Sequence, residues 1–247
     1  MAATHDGPSD RCKLPPESDY PLEPGWGHLR VANDLLRGVY DADRAAALSG
    51  VPVSTVYYWA RNGIWEPALS EEKPKLWTYS DLIALRLIYW LRQDKPDLEV
   101  PKSSMHEVRR AIRAIAAQGE RLSSPSVRVL VQRNGKVIFV TSTGEWEALV
   151  KGMAQRTAAL EVLAEFKTRE GTIGPDLVNP RPSLRIIPGK LAGEPHVRGT
   201  RISSRMVAAL VRDGLSEDRV VLLYPDLTRE SVLDCINLEK QLQRNAA

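Results

Sequence analysis

Between Asp41 and Gly63 the apolar residues fall at spacings that two short helices joined by a tight turn can bury. Ala45 and Leu48 give the first helix its apolar face, and Gly50 supplies the turn that ends it. Pro52 stands where a new helix starts without losing a hydrogen bond. Val53, Val56, Trp59 and Ala60 then recur at helical spacing, which makes them the buried face of a second helix, and Asn62-Gly63 stops it. A helix, a glycine turn and a second helix with polar residues on its outer side is the helix-turn-helix layout.

The residues that follow extend this unit. Ile64-Trp65-Glu66-Pro67, a polar loop to Lys75 and Leu76-Trp77-Thr78-Tyr79 predict the two short strands of a wing. Ser80 is placed to cap the next helix, whose broad apolar face is Leu82, Ile83, Leu85, Ile88, Tyr89 and Leu91. Residues 38–93 are similar to the winged DNA-binding domain of the MerR family. The resemblance rests on Gly50-Val51, Thr55, Tyr58, Gly63 and the step Tyr79-Ser80-Asp81. MerR proteins usually carry Arg in the recognition helix and wing, whereas this chain has Tyr57 in the helix and Lys73 and Lys75 in the wing.

Ser54, Thr55, Tyr57, Tyr58 and Arg61 are the candidate DNA-facing residues of the second helix, joined by Lys73 and Lys75. Their hydroxyls and cations are donors to phosphates and base edges. Arg61, at the helix end, is suited to holding a phosphate. Tyr58 is also a candidate to pack against the wing.

The middle of the chain is less specific. Met105, Val108, Ile112 and Ile115 predict an amphipathic helix ending by Gly119, with Arg109, Arg110 and Arg113 on its other side as a solvated charge row or a phosphate track. Asn134-Gly135 between two apolar runs predicts a β-hairpin. A further helix is expected from Trp146 to Phe166. Residues 168–183, with three Pro and two Gly, read as a linker.

The last quarter opens with a strand at Leu184–Ile187, turns at Pro188-Gly189, and contains Gly193-Glu194-Pro195-His196-Val197-Arg198-Gly199-Thr200-Arg201-Ile202. Three helices follow, capped or started by Ser203 or Ser204, Ser216 and Thr228. This segment, with Tyr224-Pro225-Asp226-Leu227-Thr228, resembles a small C-terminal domain of bacterial antitoxins that accompany PIN-like ribonuclease toxins. The resemblance implies an antitoxin of the VapB kind that neutralises its toxin and represses its own operon. Glycines, prolines, Ile202 and Leu227 read as scaffold. His196, Arg198 and Arg201 remain as candidate toxin-binding residues, cationic or titratable groups on irregular backbone. Because PIN-like active sites are lined with metal-binding carboxylates, the resemblance implies that an antitoxin arginine competes there with metal or RNA. Glu194 and Asp226 are alternative, internal partners for the same arginines.

Net charge is only +3, so a nucleic-acid surface has to come from local placement of Lys and Arg. Cys12 and Cys235 share no metal-type spacing with the four His residues and read as reduced thiols. No nucleophile elbow, Walker loop or metalloprotease motif is present, so no catalytic site and no cofactor are expected. The N-terminus lacks the apolar core of a secretory signal and no run is long enough to span a bilayer, which predicts a cytoplasmic protein.

The expected fold is mainly α with small β elements. It comprises a flexible arm (1–27), a winged helix-turn-helix (28–96), a helix and β-hairpin block (97–167), a linker (168–183) and a three-helix C-terminal domain (184–247). A homodimer is expected, because such modules read two half-sites about 34 Å apart; Leu184–Ile187 and the middle block are the expected pairing regions. Two other readings stay open: a stand-alone MerR-like regulator, and an interaction scaffold that touches no DNA.

Overall fold

The computed structural model describes residues 37–70, 73–123, 127–140, 157–159, 161–168 and 171–246. Among them the chain is mainly helical, with small antiparallel sheets. No helix among the described residues is long and apolar enough to cross a membrane. The expected arm, 1–27, lies outside the described residues.

Helix α1 (Ala42–Ser49) starts on Asp41, whose carboxylate accepts the Arg44 N–H, and ends on Gly50 at φ 77°. Helix α2 (Val53–Arg61) follows, with Val56, Trp59 and Ala60 buried as the spacing predicts. The two wing strands expected here are not formed: Ile64–Pro67 is irregular, an isolated bridge joins Ser70 to Leu76, and Thr78 and Tyr79 cap and begin the next helix. Trp77 pairs in turn with Tyr40.

Helix α3 (Tyr79–Leu91) is buried on nearly every side, as befits a helix apolar all round, and forms the centre of the fold. Its cap is Thr78, not Ser80: Thr78 and Asp81 form a reciprocal capping box. Ser80 instead shares a buried hydrogen bond with Ser123. Asp81 also accepts the Trp65 Nε1–H at 3.0 Å and the Ala68 N–H at 3.1 Å, so one carboxylate fixes both the helix start and the loop before it.

Arg86, in the middle of α3, is 0% exposed and donates only to main-chain carbonyls. Two are Leu48 and Ser49, otherwise unsatisfied at the C-terminal end of α1. The others are Val162, Ala164 and Pro175. One guanidinium therefore joins the end of α1 to Val162, Ala164 and Pro175.

Helix α4 (Met105–Ala117) packs on a hairpin of β1 (Arg128–Gln132) and β2 (Val137–Val140), with Val131 opposite Val137. Glu107 of α4 accepts the Val137 N–H and pairs with Arg110. The helix expected over Trp146–Phe166 is not formed in its described part. Thr157–Ala159 is a strand, β3, on the other edge of β1; residues 162–164 turn, and Phe166–Lys167 is strand β4. A three-residue strand needs no helical periodicity, only a free sheet edge to pair with.

Residues 168–183, expected as a linker, carry tertiary contacts. Strand β5 (Ile173–Gly174) pairs with β4, Leu177 is buried, and the Leu177 carbonyl accepts the Tyr79 hydroxyl at 2.7 Å. Gly174 lies against Gly50 so closely that a Cβ on Gly50 would sit 2.8 Å from the Gly174 nitrogen.

The C-terminal unit begins with a two-stranded sheet, β6 (Leu184–Arg185) against β7 (His196–Val197). Helices α5 (Ser204–Arg212) and α6 (Glu217–Leu223) are capped by Ser203 and Ser216. The long α7 (Arg229–Ala246) buries Val232, Cys235, Leu238 and Leu242, and packs on both α5 and α1.

Candidate functional site

Burial of Val56, Trp59 and Ala60 turns the opposite face of α2 to solvent. Ser54, Tyr57, Tyr58 and Arg61 are exposed there and Thr55 is half-buried. Tyr57 is 42% and Tyr58 52% exposed, high values for tyrosines on a helix whose other side is core. The Tyr57 ring meets Trp77 edge-on at 6.4 Å between centroids.

Arg61 ends α2, and among the described residues no acid pairs with its guanidinium. Lys73 is exposed and Lys75 half-buried in the segment before Leu76. Arg109 of α4 donates to the Asn62 carbonyl at 3.1 Å, just past the end of α2. The arginine row of α4 therefore divides. Arg109 joins the α2 surface, Arg110 is committed to Glu107 and the Val137 carbonyl, and Arg113 is solvated. Glu107 is pushed below the usual carboxylate range, chiefly by its hydrogen bond from Arg110.

The second candidate group is split by the structure. His196 lies in β7 and is 0% exposed, with Nδ1 3.1 Å from the Glu194 carbonyl oxygen. Both residues of β7 are buried, and the bridge from His196 to Ser203 covers this side of the strand. Arg198 and Arg201 are exposed on the loop around Gly199, which has φ +76°. Arg198 donates to the Pro182 carbonyl at 3.1 Å. Among the described residues neither arginine is paired with Glu194 or Asp226.

Glu194 is occupied elsewhere. It takes the Arg44 guanidinium at 2.6 Å, while Glu239 of α7 takes it at 2.8 Å and also accepts the Ser204 hydroxyl. Burial alone would lower the Arg44 pKa; the two carboxylates more than reverse this and hold it above the ordinary value. In the sequence Arg44 reads as one polar residue in an alanine-rich helix. Its partners lie 150 and 195 residues further on, so no local signal announces the pairing.

Gly193 completes the junction. Its carbonyl accepts the Tyr40 hydroxyl at 2.8 Å, its φ is +79°, and a Cβ there would fall 2.1 Å from that hydroxyl oxygen. The loop at Gly193 is thereby held against Gly38 and Tyr40, just ahead of α1.

Residues 185–237 match a family described as a protein of unknown function, DUF433. The match lies inside the C-terminal unit and covers well under half of the chain. No curated protein and no solved structure matches.

Proposed function

We propose that this chain is a DNA-binding antitoxin: its winged unit reads operator DNA, and its C-terminal unit neutralises a PIN-like ribonuclease. The observation that carries the DNA half is the orientation of α2. Its apolar side is locked into the core, and on the other side Ser54, Tyr57, Tyr58 and Arg61 are exposed and Thr55 half-buried. Arg109 stands at the end of the helix; in this reading Lys73 and Lys75 join them. Hydroxyls and cations of this kind suit a phosphate-rich groove, with Arg61 and Arg109 as phosphate contacts at the end of the helix. The reading implies a two-fold dimer of the chain, so that two such helices meet successive turns of one face of the duplex.

The neutralising half rests on the resemblance of the Gly193–Ile202 segment and on the exposure of Arg198 and Arg201. In this reading the two arginines enter the acidic cleft of the toxin, and buried His196 belongs to the scaffold that presents them.

The test separates the surfaces. Arg61→Ala should weaken binding to duplex DNA from upstream of the reading frame and leave inhibition of the ribonuclease intact. Arg198→Ala with Arg201→Ala should do the reverse. Loss of both functions in either folded variant would argue against two independent surfaces. Retention of DNA binding with no inhibition by the wild-type chain would leave the stand-alone regulator.

A further inference from the structure

Helices α1, α5 and α7 do not close completely where they meet. Two of them contribute short side chains at the junction: Ala47 from α1, Ala208 and Ala209 from α5. The gap is a cleft of about 460 Å³, floored further by Ile236 and Leu242. That volume lies in the range of small-molecule sites, roughly 300–1,000 Å³.

Its charges are unequally committed. Glu239 lines the cleft, but its carboxylate is taken by Arg44 and Ser204, and nearby Glu194 is likewise taken by Arg44. Asp41 spends one oxygen capping α1, and Asp43 is exposed. Against these stand Arg205 and Arg212, two turns apart on one face of α5, and Lys240 of α7. Among the described residues, the Arg205 and Lys240 side chains have no hydrogen bond or ion pair. Arg212 has only the solvated Asp213 at 3.4 Å. Three cations with little to hold them line a cleft with an alkyl floor.

We propose that this cleft binds a small organic anion, an apolar body bearing one carboxylate or sulfonate. The body would cover the alanines, Ile236 and Leu242, and the anionic group would take Arg205 and Lys240, with Arg212 at the rim. A simple inorganic anion leaves the floor unfilled, and a cation meets the two carboxylates of Asp41 and Asp43 against three bases. No residue of α2 or the wing lines the cleft, so the site stands whether or not the α2 face reads DNA.

The probe is 8-anilinonaphthalene-1-sulfonate, titrated into the full-length chain while fluorescence is read. The expected result is saturable enhancement at one site per chain, with a rise in melting temperature, since a ligand of the native state stabilises it. Arg205→Glu with Lys240→Glu should weaken the dye by about tenfold or more. Ala209→Trp fills the cleft without changing charge and should abolish the enhancement. The charge-matched control, Lys102→Glu with Arg219→Glu, should bind as wild type. If the charge-reversed variant fails to melt cooperatively, Ala209→Trp decides. The proposal is overturned by no enhancement, by enhancement with a lowered melting temperature, or by a folded cleft variant that binds as well as wild type.

Discussion

Arg44 of α1 and Glu194 of the C-terminal loop form an ion pair at 2.6 Å, with side chains 9% and 21% exposed. Glu239 completes the clamp from α7. Helix α1 is thereby tied to the Gly193–Ile202 segment and to α7. Removing one member leaves buried charge without a partner, which costs more than the pair itself contributes.

Arg44→Met should therefore destabilise the protein by about 3–5 kcal/mol, because two carboxylates are left facing an apolar side chain. Glu194→Gln should cost less, since Glu239 still holds the guanidinium and Glu194 is partly solvated. Urea denaturation of the three proteins, with unchanged slopes, checks the order; a wild-type midpoint for Arg44→Met would refute the clamp.

Arg86→Met should be comparably damaging for a different reason. Five carbonyl acceptors from three segments lose their donor at once, and each buried unsatisfied acceptor costs about 1–3 kcal/mol. Arg86→Lys keeps the charge but not the planar fork, so it should fall between wild type and Arg86→Met in melting temperature.

Gly193→Ala should be destabilising twice over, through a left-handed φ and a clash with Tyr40. Tyr40→Phe removes the nearest atom and the hydrogen bond to the Gly193 carbonyl. The double variant should then lose less than the sum of the two singles, a coupling readable from a double-mutant cycle. Strict additivity would mean that the two residues do not meet.

Cys235 is buried in α7, and burial pushes its thiol up to about 12, with Glu239 and Asp234 adding to the shift. In a Cys12→Ser background the native protein should not react with Ellman's reagent at pH 8, and should titrate one thiol in urea. The sign for stability follows from a raised folded pKa. The contribution is fully present below the ordinary thiol pKa and is lost as pH rises from there toward about 12. Fast native labelling would contradict this packing.

Local periodicity made the helices legible. The faces of α1, α2, α4 and α5, the Gly50 turn and the Asn134-Gly135 hairpin all follow from residues within one or two turns of each other. What stayed hidden was long-range. Strands β3, β4 and β5 are two or three residues long, too short for alternation to register, and exist because an edge is offered. Thr78 displaced Ser80 as a cap because Asp81 is placed to close the box. At the candidate site, exposure of Tyr57, Tyr58 and Arg61 was readable from the helix period. Burial of His196 was not, since it depends on β7 pairing with a strand eleven residues earlier, beyond the Pro188-Gly189 turn. The Arg44 clamp spans most of the chain and has no sequence signature.

The central claim is that the α2 face binds operator DNA, and fluorescence anisotropy against salt tests it most directly. A duplex of about three helical turns from upstream of the reading frame is titrated with the full-length chain between 50 and 200 mM salt. The account predicts tight binding at the low end that weakens steeply with salt. Arg61→Ala should flatten the slope by about one counterion. No detectable binding at 50 mM salt, or an Arg61→Ala slope and affinity equal to wild type, would contradict it.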